Sequence, residues 1–539
     1  MILKRHRGDI VATAVLVLLD VLLYRKILRL WWTYDDASIL HTIIDHRVAD
    51  YFFGRSVWPQ QLFTPLLMSV FKMEMSLFGL DTVRWYALQL AIACAATLAV
   101  YRACRLFLDV VPALTASALF ALGAPLCSVV TQLSTVHYFV AIAFGALATI
   151  AYVVALREES VLAAIVSAVL YLLAMLAKEI AVPLPAFLLS LPLRDFRSRV
   201  RYAIGHGTAL VVYLIWRRAV IGTFFGAYGW VIEPAEWPPL LASLPERVIR
   251  GAAGTGLPLG IVLIAIMAVG ILASIRKRPA ILMLVIAAVV AIAPLLPLAK
   301  EVNRRYVVVP WLAWSVAFAA SLSTLRDRRQ AMAVFILVLP TAAVVNRQEW
   351  REVSHARKRM SDEARVFLDM PSNGLFRMPA APSSTMRELN WLKTVYLHKP
   401  GGATCFYDDF FLCVHDARGK RVWEYEENTR RVAEITPTVA QIAQRHCNSI
   451  RFAAPLSARF HFEKPALHWD LGPYTEGRYT ALLGDGVEAF VVARHDALNL
   501  PGASAFDVRI RYDSPQGWTT YSPQLNLDFA RTQDVAWRR

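Results

Sequence analysis

Charge is scarce in this chain: 18% of its 539 residues are Asp, Glu, Lys or Arg, against 57% hydrophobic, and the mean hydropathy is +0.43. That balance excludes an ordinary soluble protein of this size. Cysteine is scarce too, with six residues and no CxxC spacing, which removes the usual zinc frameworks. No Gly-rich loop of Walker type, no HExxH and no GxSxG elbow occurs, so nucleotide hydrolysis, zinc proteolysis and hydrolase chemistry lack a motif. The formal charge of +16 does not argue for nucleic acid. Lys and Arg sit mainly in short clusters between apolar runs, where membrane topology accounts for them.

What the chain has in quantity is long apolar runs. A spanning helix needs about 20 mostly apolar residues, and about eleven candidates result. They cover residues 10–30, 84–108, 110–128, 137–156, 160–177, 179–193, 202–220, 250–275, 280–298, 306–324 and 331–346. Lys4, Arg5 and Arg7 precede the first run with no small-residue cleavage site after it, so it reads as an uncleaved helix with its N-terminus in the cytoplasm. Basic clusters follow the even-numbered spans: Arg102 and Arg105, Arg157, residues 194–201, Arg276 to Arg278 and residues 326–329. This is the positive-inside pattern, and an odd span count then puts everything after about residue 346 outside. Arg25, Lys26 and Arg29 run against the trend, either snorkelling to the interface or attracting a lipid phosphate.

The expected architecture is a polytopic α-helical membrane domain over residues 1–346, with long outer loops at 31–84 and 222–250, followed by an extracytoplasmic domain over 347–539. Within the first loop, residues 58–78 are apolar but broken by Pro59, Pro65, Lys72 and Glu74, which suggests helices along the membrane surface. The tail shows strand-like alternation at 478–483, 489–493 and 506–512, predicting a mixed α/β or β-rich domain. Cys405 and Cys413 are near enough in sequence to bridge a hairpin in an oxidising compartment.

Three polar clusters fall on the outer face. Tyr34-Asp35-Asp36 follows the first span; one aspartate could act as a general base or hold a cation, or the pair is a solvated helix cap. Lys178-Glu179 lies between the fifth and sixth spans, as a phosphate-binding cation held by its neighbour or as a structural ion pair. Lys300-Glu301 and Arg304-Arg305-Tyr306 precede the tenth span, where the positive-inside rule disfavours them; capture of an anionic phosphate supplies a cause, an interfacial anchor being the alternative. His137 and Tyr138 open the fourth span on the same side. Chemistry on this face needs a donor already activated on a lipid, because nucleotide-sugars are not available there.

Together these residues resemble the GT-C superfamily of integral-membrane glycosyltransferases, in particular the branch holding protein O-mannosyltransferases and bacterial aminoarabinose transferases. The resemblance covers roughly the first 325 residues. It rests on Tyr34-Asp35-Asp36, Thr64-Pro65, residues 77–81 (LFGLD), His137-Tyr138, Ala177-Lys178-Glu179 with Pro183, and Arg305-Tyr306 with Pro310. It implies a bacterial inner-membrane enzyme that takes a sugar from a polyprenyl-phosphate donor. Asp35 or Asp36 would be the base or a ligand of a divalent metal (Mg or Mn), and Lys178 and Arg305 would contact the phosphate, with Glu179, Arg304 and Tyr306 beside them. Tyr34, His137 and Tyr138 would line the pocket. The acceptor, whether glycan, lipid or protein, stays open, as does the alternative of a polyprenyl-linked glycan polymerase or ligase. A lipid or glycan transporter would need inverted repeats, and none is evident. The second span start lacks the Asn and His pattern of close relatives, and the tail matches no accessory domain.

Overall fold

The structure is a computed structural model describing residues 2–54, 63–191, 193–222, 224, 232, 234–275, 279–298, 302–324, 328–368, 374–377, 395, 404–415, 417, 419–426, 431–463, 466–486, 488–499, 505–529 and 531–539. The predicted features at Trp58-Pro59, residues 276–278, Lys300-Glu301 and Arg326 lie outside these, as do the side chains of Tyr34 and Cys405.

The first part of the chain is helical. Helix α1 (Ile2–Tyr24) passes through a 3-10 turn (Arg25–Arg29) to three short helices in the expected outer loop, α2 (Tyr34–Asp45), α3 (Val48–Phe53) and α4 (Pro65–Phe78). Then come α5 (Thr82–Cys104), α6 (Val110–Ala121), α7 (Ala124–Val130), α8 (Val136–Glu158), α9 (Val161–Ala177), α10 (Leu184–Ser190) and α11 (Phe196–Ile221). Side chains cap several starts: Asp81 accepts from the Val83 and Arg84 N–H groups, Ser160 from Ala163 and Asp195 from Ser198. The remaining helices are α12 (Trp237–Ala253), α13 (Leu257–Ile275), α14 (Pro279–Val290), α15 (Val308–Leu322) and α16 (Arg328–Leu368).

Four of these helical stretches are long and apolar enough to cross a membrane, and five if the bent pair α6 and α7 counts as one. Large apolar side chains stay exposed on them and their neighbours, among them Val161 (63%), Leu162 (71%), Val269 (67%) and Leu272 (67%). Water would penalise such surfaces, and lipid accounts for them. The protein is a multi-pass membrane protein. The described residues do not confirm the count of eleven full spans, and two of the expected spans are interrupted for local reasons. The expected span 250–275 breaks at Gly254, whose φ of +71° ends α12. Consequently α12 occupies part of the stretch expected to be a loop. The expected third span bends by 57° between α6 and α7. Gly123 sits in that break, where a Cβ would lie 2.2 Å from the Trp311 indole nitrogen, which donates to the Leu119 carbonyl at 2.8 Å.

Helix α16 is 41 residues long and runs unbroken through the expected junction at 346/347. Asn346 on it donates to the Tyr24 hydroxyl at 3.0 Å, which donates in turn to the Ala121 carbonyl at 2.6 Å. These buried bonds fix α16 against α1 and α6, and so set where its later turns fall.

The tail is β-rich. Strands β1 (Leu375–Arg377), β2 (Thr404–Phe406), β3 (Val422–Glu426) and β4 (Arg431–Glu434) form a sheet in the order β2-β1-β3-β4, beside helices α17 (Phe410–Val414) and α18 (Val439–Ser449). Strands β5 (Ser457–Glu463), β6 (Ala466–Gly472), β9 (His495–Asn499) and β13 (Gln533–Arg538) make a second sheet. A third holds β7 (Arg478–Leu483), β8 (Glu488–Val492), β10 (Phe506–Asp513), β11 (Thr519–Tyr521) and β12 (Leu525–Leu527). Phe460, Phe462 and Leu471 from one of these sheets share a core with Tyr479, Val508 and Ile510 from the other, making a sandwich. Cys413 bridges to Cys447, not to Cys405. The bond ties α17 to α18 across 34 residues of sequence, a juxtaposition no local spacing reveals.

Candidate active site

The N-terminus of α2 gives its two aspartates different surroundings. Asp36 Oδ2 accepts from both the backbone N–H and the hydroxyl of Thr33, each at 2.8 Å, and its other oxygen accepts from the Ser134 N–H at 2.7 Å. It is wholly buried, and burial pushes its pKa up to about 6, against the opposing pull of those hydrogen bonds. Asp36 therefore staples the start of α2 to the corner between α7 and α8. Asp35, one residue earlier, keeps its side chain 44% exposed. Its Oδ2 accepts from Gln132 Nε2 at 2.5 Å and lies 3.4 Å from Arg305 Nη1. Its Oδ1 has no partner among the described residues.

That corner is held from α5. Gln89 Nε2, fully buried, donates to the carbonyls of Val129, Val130 and Gln132 at 2.9–3.2 Å, and the Tyr86 hydroxyl spans the carbonyls of Trp31 and Thr131. From it the Gln132 carboxamide reaches Asp35 with its nitrogen and two guanidiniums with its oxygen: Arg305 Nη1 at 3.3 Å and Arg357 Nη2 at 2.7 Å. Arg305 arrives from the 3-10 turn Arg304–Val307 leading into α15, and Arg357 from α16, eleven residues past the expected domain junction at 346.

Lys178 caps the C-terminus of α9 and is almost fully buried, its Nζ 2.8 Å from Glu179 Oε1 and 5.7 Å from the centre of the Tyr138 ring. Tyr138 and Tyr306 lie within electrostatic reach of both Lys178 and Arg305, and His137 feels both cations as well. Arg305 also stands 5.4 Å from the centre of the Tyr306 ring. Glu179 faces Arg217 of α11 in addition to Lys178, so it balances two cations. Thus Asp35, Lys178, Arg305, Tyr138, Tyr306 and His137 gather in one region. Arg304 does not join them: its Nη1 pairs with Glu349 Oε1 of α16 at 2.6 Å. Tyr34 contributes the first residue of α2.

The expected divalent ion does not fit this donor set. Both oxygens of Asp36 are engaged by N–H and O–H donors, leaving one oxygen of Asp35 beside a guanidinium, whereas Mg or Mn asks for several oxygens. Among the described residues no group of three His, Cys, Asp or Glu converges on a common point.

Sequence reasoning missed Gln132, Ser134 and Arg357. For the first two a signal existed, since Thr131 to Thr135 is a polar break in an apolar stretch that the expected topology puts on the outer face. Arg357 had none, standing among Arg347, Arg351, Lys358 and Arg359.

The fold and site define a multi-pass membrane protein with a half-exposed carboxylate set against half-buried guanidiniums and near a buried lysine. No family model matches the sequence, and no curated protein does. Among solved structures the chain is similar to ArnT from Cupriavidus metallidurans bound to undecaprenyl phosphate, with a TM-score of 0.44 and 14% identity over 78% of this chain and 93% of that one. It is also similar to the archaeal oligosaccharyltransferase AglB from Archaeoglobus fulgidus in complex with an inhibitory peptide and a dolichol-phosphate, with a TM-score of 0.47 and 12% identity over 90% and 76%. At these values the site's own residues, and not the likenesses, carry the function.

Proposed function

We propose that the protein is a glycosyltransferase of the bacterial inner membrane, transferring a sugar from a polyprenyl-phosphate carrier to a periplasmic glycan, lipid or protein acceptor. The observation that carries this is the asymmetry of Asp35: Gln132 and Arg305 hold one oxygen while no described residue engages the other, as a general base needs. In the reaction Asp35 takes the proton of an acceptor hydroxyl, the oxygen attacks the anomeric carbon, and the bond from that carbon to the phosphate oxygen breaks. The leaving polyprenyl phosphate gains negative charge, which Arg305, Arg357 and Lys178 are arranged to stabilise in a water-poor setting. An apolar cavity of about 120 Å³ between α5, α8, α10, α14 and α15 supports a lipid donor. Its wall is almost entirely apolar, as Ile142, Ala146, Leu184 and Ala287 illustrate, and it reaches Ile180 and Val309, close in sequence to Lys178 and Arg305. An isoprenoid chain suits such a wall.

A second reading, a polyprenyl-linked glycan polymerase or ligase relying on Arg rather than a carboxylate, is favoured by the paired guanidiniums of Arg305 and Arg357. Release of free polyprenyl phosphate by purified wild type, Asp35→Asn and Arg305→Ala separates the two. Loss in both variants supports the aspartate-dependent transferase. Activity that survives Asp35→Asn but not Arg305→Ala supports the second reading.

A further inference from the structure

We infer that Gln132 is a positioning residue for the transfer, its carboxamide orienting Asp35 with one end and holding the two guanidiniums together with the other. This rests on the transferase reading and extends it to a residue that touches neither sugar nor phosphate.

The argument begins with what surrounds the amide. Its nitrogen faces two oxygens, Asp35 Oδ2 at 2.5 Å and Ser134 Oγ at 2.6 Å, and its oxygen faces two guanidinium nitrogens at 2.7 and 3.3 Å. Turning the amide over would set its oxygen against the Asp35 carboxylate and its N–H groups against the guanidiniums, so electrostatics fixes the orientation. Gln132 is 2% exposed, and its backbone is immobilised as well. Its carbonyl accepts from Gln89 Nε2 at 2.9 Å and from the Thr135 hydroxyl at 2.6 Å. The side chain thus springs from a fixed base to a fixed end.

Consider what the amide does for each partner. Among the described residues the charged groups around Asp35 are Arg305 from the turn before α15, Arg357 from α16 and Asp36 on its own helix. Arg305 alone could swing the Asp35 carboxylate towards itself. The added N–H bond from Gln132 fixes Oδ2 between two donors and leaves Oδ1 as the oxygen that meets an acceptor hydroxyl. On the other side, two like charges converge on one neutral oxygen. An amide oxygen can accept both without neutralising either, so their positive charge stays available for an incoming phosphate. A glutamate would pair with them and face Asp35 at hydrogen-bond distance, where two carboxylates cannot both ionise freely. A leucine would supply neither bond. An asparagine is one methylene too short to span the gap from the same backbone.

The test uses full-length protein in detergent with two readouts. Binding of polyprenyl phosphate alone reports on the guanidiniums, and the pH profile of polyprenyl-phosphate release from the sugar donor reports on Asp35. Gln132→Glu, which preserves shape, is expected to weaken polyprenyl-phosphate binding by about tenfold or more. It should also move the acid limb of kcat/KM to higher pH by roughly one unit or more. Gln132→Leu is expected to weaken binding similarly and to lower kcat, with no such move of the acid limb. If Gln132→Leu does not fold, the Glu variant decides alone. Wild-type binding and a wild-type acid limb in Gln132→Glu would overturn the inference. Asp35→Asn separates the two levels: if it releases polyprenyl phosphate at the wild-type rate, the reading beneath fails and the inference with it. If it is inert while Gln132→Glu behaves as wild type, the inference alone fails.

Discussion

The carboxylate of Asp36 accepts three hydrogen bonds and is sealed from solvent, while the carboxylate of its chain neighbour Asp35 is 44% exposed with one oxygen unengaged among the described residues. Two identical side chains one residue apart differ because α2 starts there. Asp36 is its third residue and folds back on Thr33, whereas Asp35, the second, turns towards Gln132 and Arg305.

Substitution should separate these roles. Asp35→Asn is expected to lower kcat by about 10²–10⁴-fold with the thermal midpoint unchanged. Asp36→Ala strands the N–H groups of Thr33 and Ser134 and should cost about 1–3 kcal/mol of stability. Paired melting curves and release assays check both, and a stable, inactive Asp36→Ala with an active Asp35→Asn would reverse the assignment.

Adjacent arginines should separate likewise. Arg304→Ala leaves the buried Glu349 carboxylate with the Thr255 N–H as its one remaining donor among the described residues, at a cost of about 1–3 kcal/mol, and should lower the melting temperature without changing donor KM. Arg305→Ala should instead raise donor KM and lower kcat. Steady-state kinetics beside a melting curve distinguishes them.

Glu74 of α4 is 1% exposed near Asp36, and burial pushes its pKa up to about 8 from an ordinary 4.5. Because the folded state holds this proton more tightly than the unfolded one, the contribution is fully present below pH 4.5 and is lost as pH rises through 8. Glu74→Gln should therefore gain stability over wild type progressively between those values and hold a constant advantage above. Melting temperatures measured every half unit across that window check it, and parallel curves would refute it.

The disulfide gives a covalent prediction. Peptide mapping without reductant should link the Cys413 peptide to that of Cys447 and to no other. Cys447→Ser should destabilise the β-rich tail by about 2–4 kcal/mol, and Cys405→Ser should leave the bridge intact.

Much of the architecture is written in short stretches of chain. Apolar runs such as those of α5, α8 and α13 are apparent because hydropathy over about 20 residues is a local property. The strands expected at 478–483 and 506–512 appear as β7 and β10, since alternation of buried and exposed residues is local too. The clusters at Asp35, Lys178 and Arg305 stood out because charge beside an apolar run is costly wherever the chain goes next. Helix breaks were less visible. The ends at Gly123 and Gly254 follow from the approach of Trp311 and Glu349, which belong to distant segments.

The amino-acid sequence by itself determined that this is a multi-pass membrane protein with a β-rich tail, and which charged clusters accompany its apolar runs. Only tertiary structure decided which aspartate is free, which arginine joins it, and that Cys413 meets Cys447. It also brought Gln132 to Asp35 across 97 residues and Arg357 to Gln132 across 225. The reason is physical. Hydropathy and alternation are sums over neighbours in the chain, whereas a hydrogen bond between side chains needs two helices packed at a set angle. That angle is settled by buried contacts such as those of Tyr24, Gln89 and Trp311, none of which has a signature in spacing.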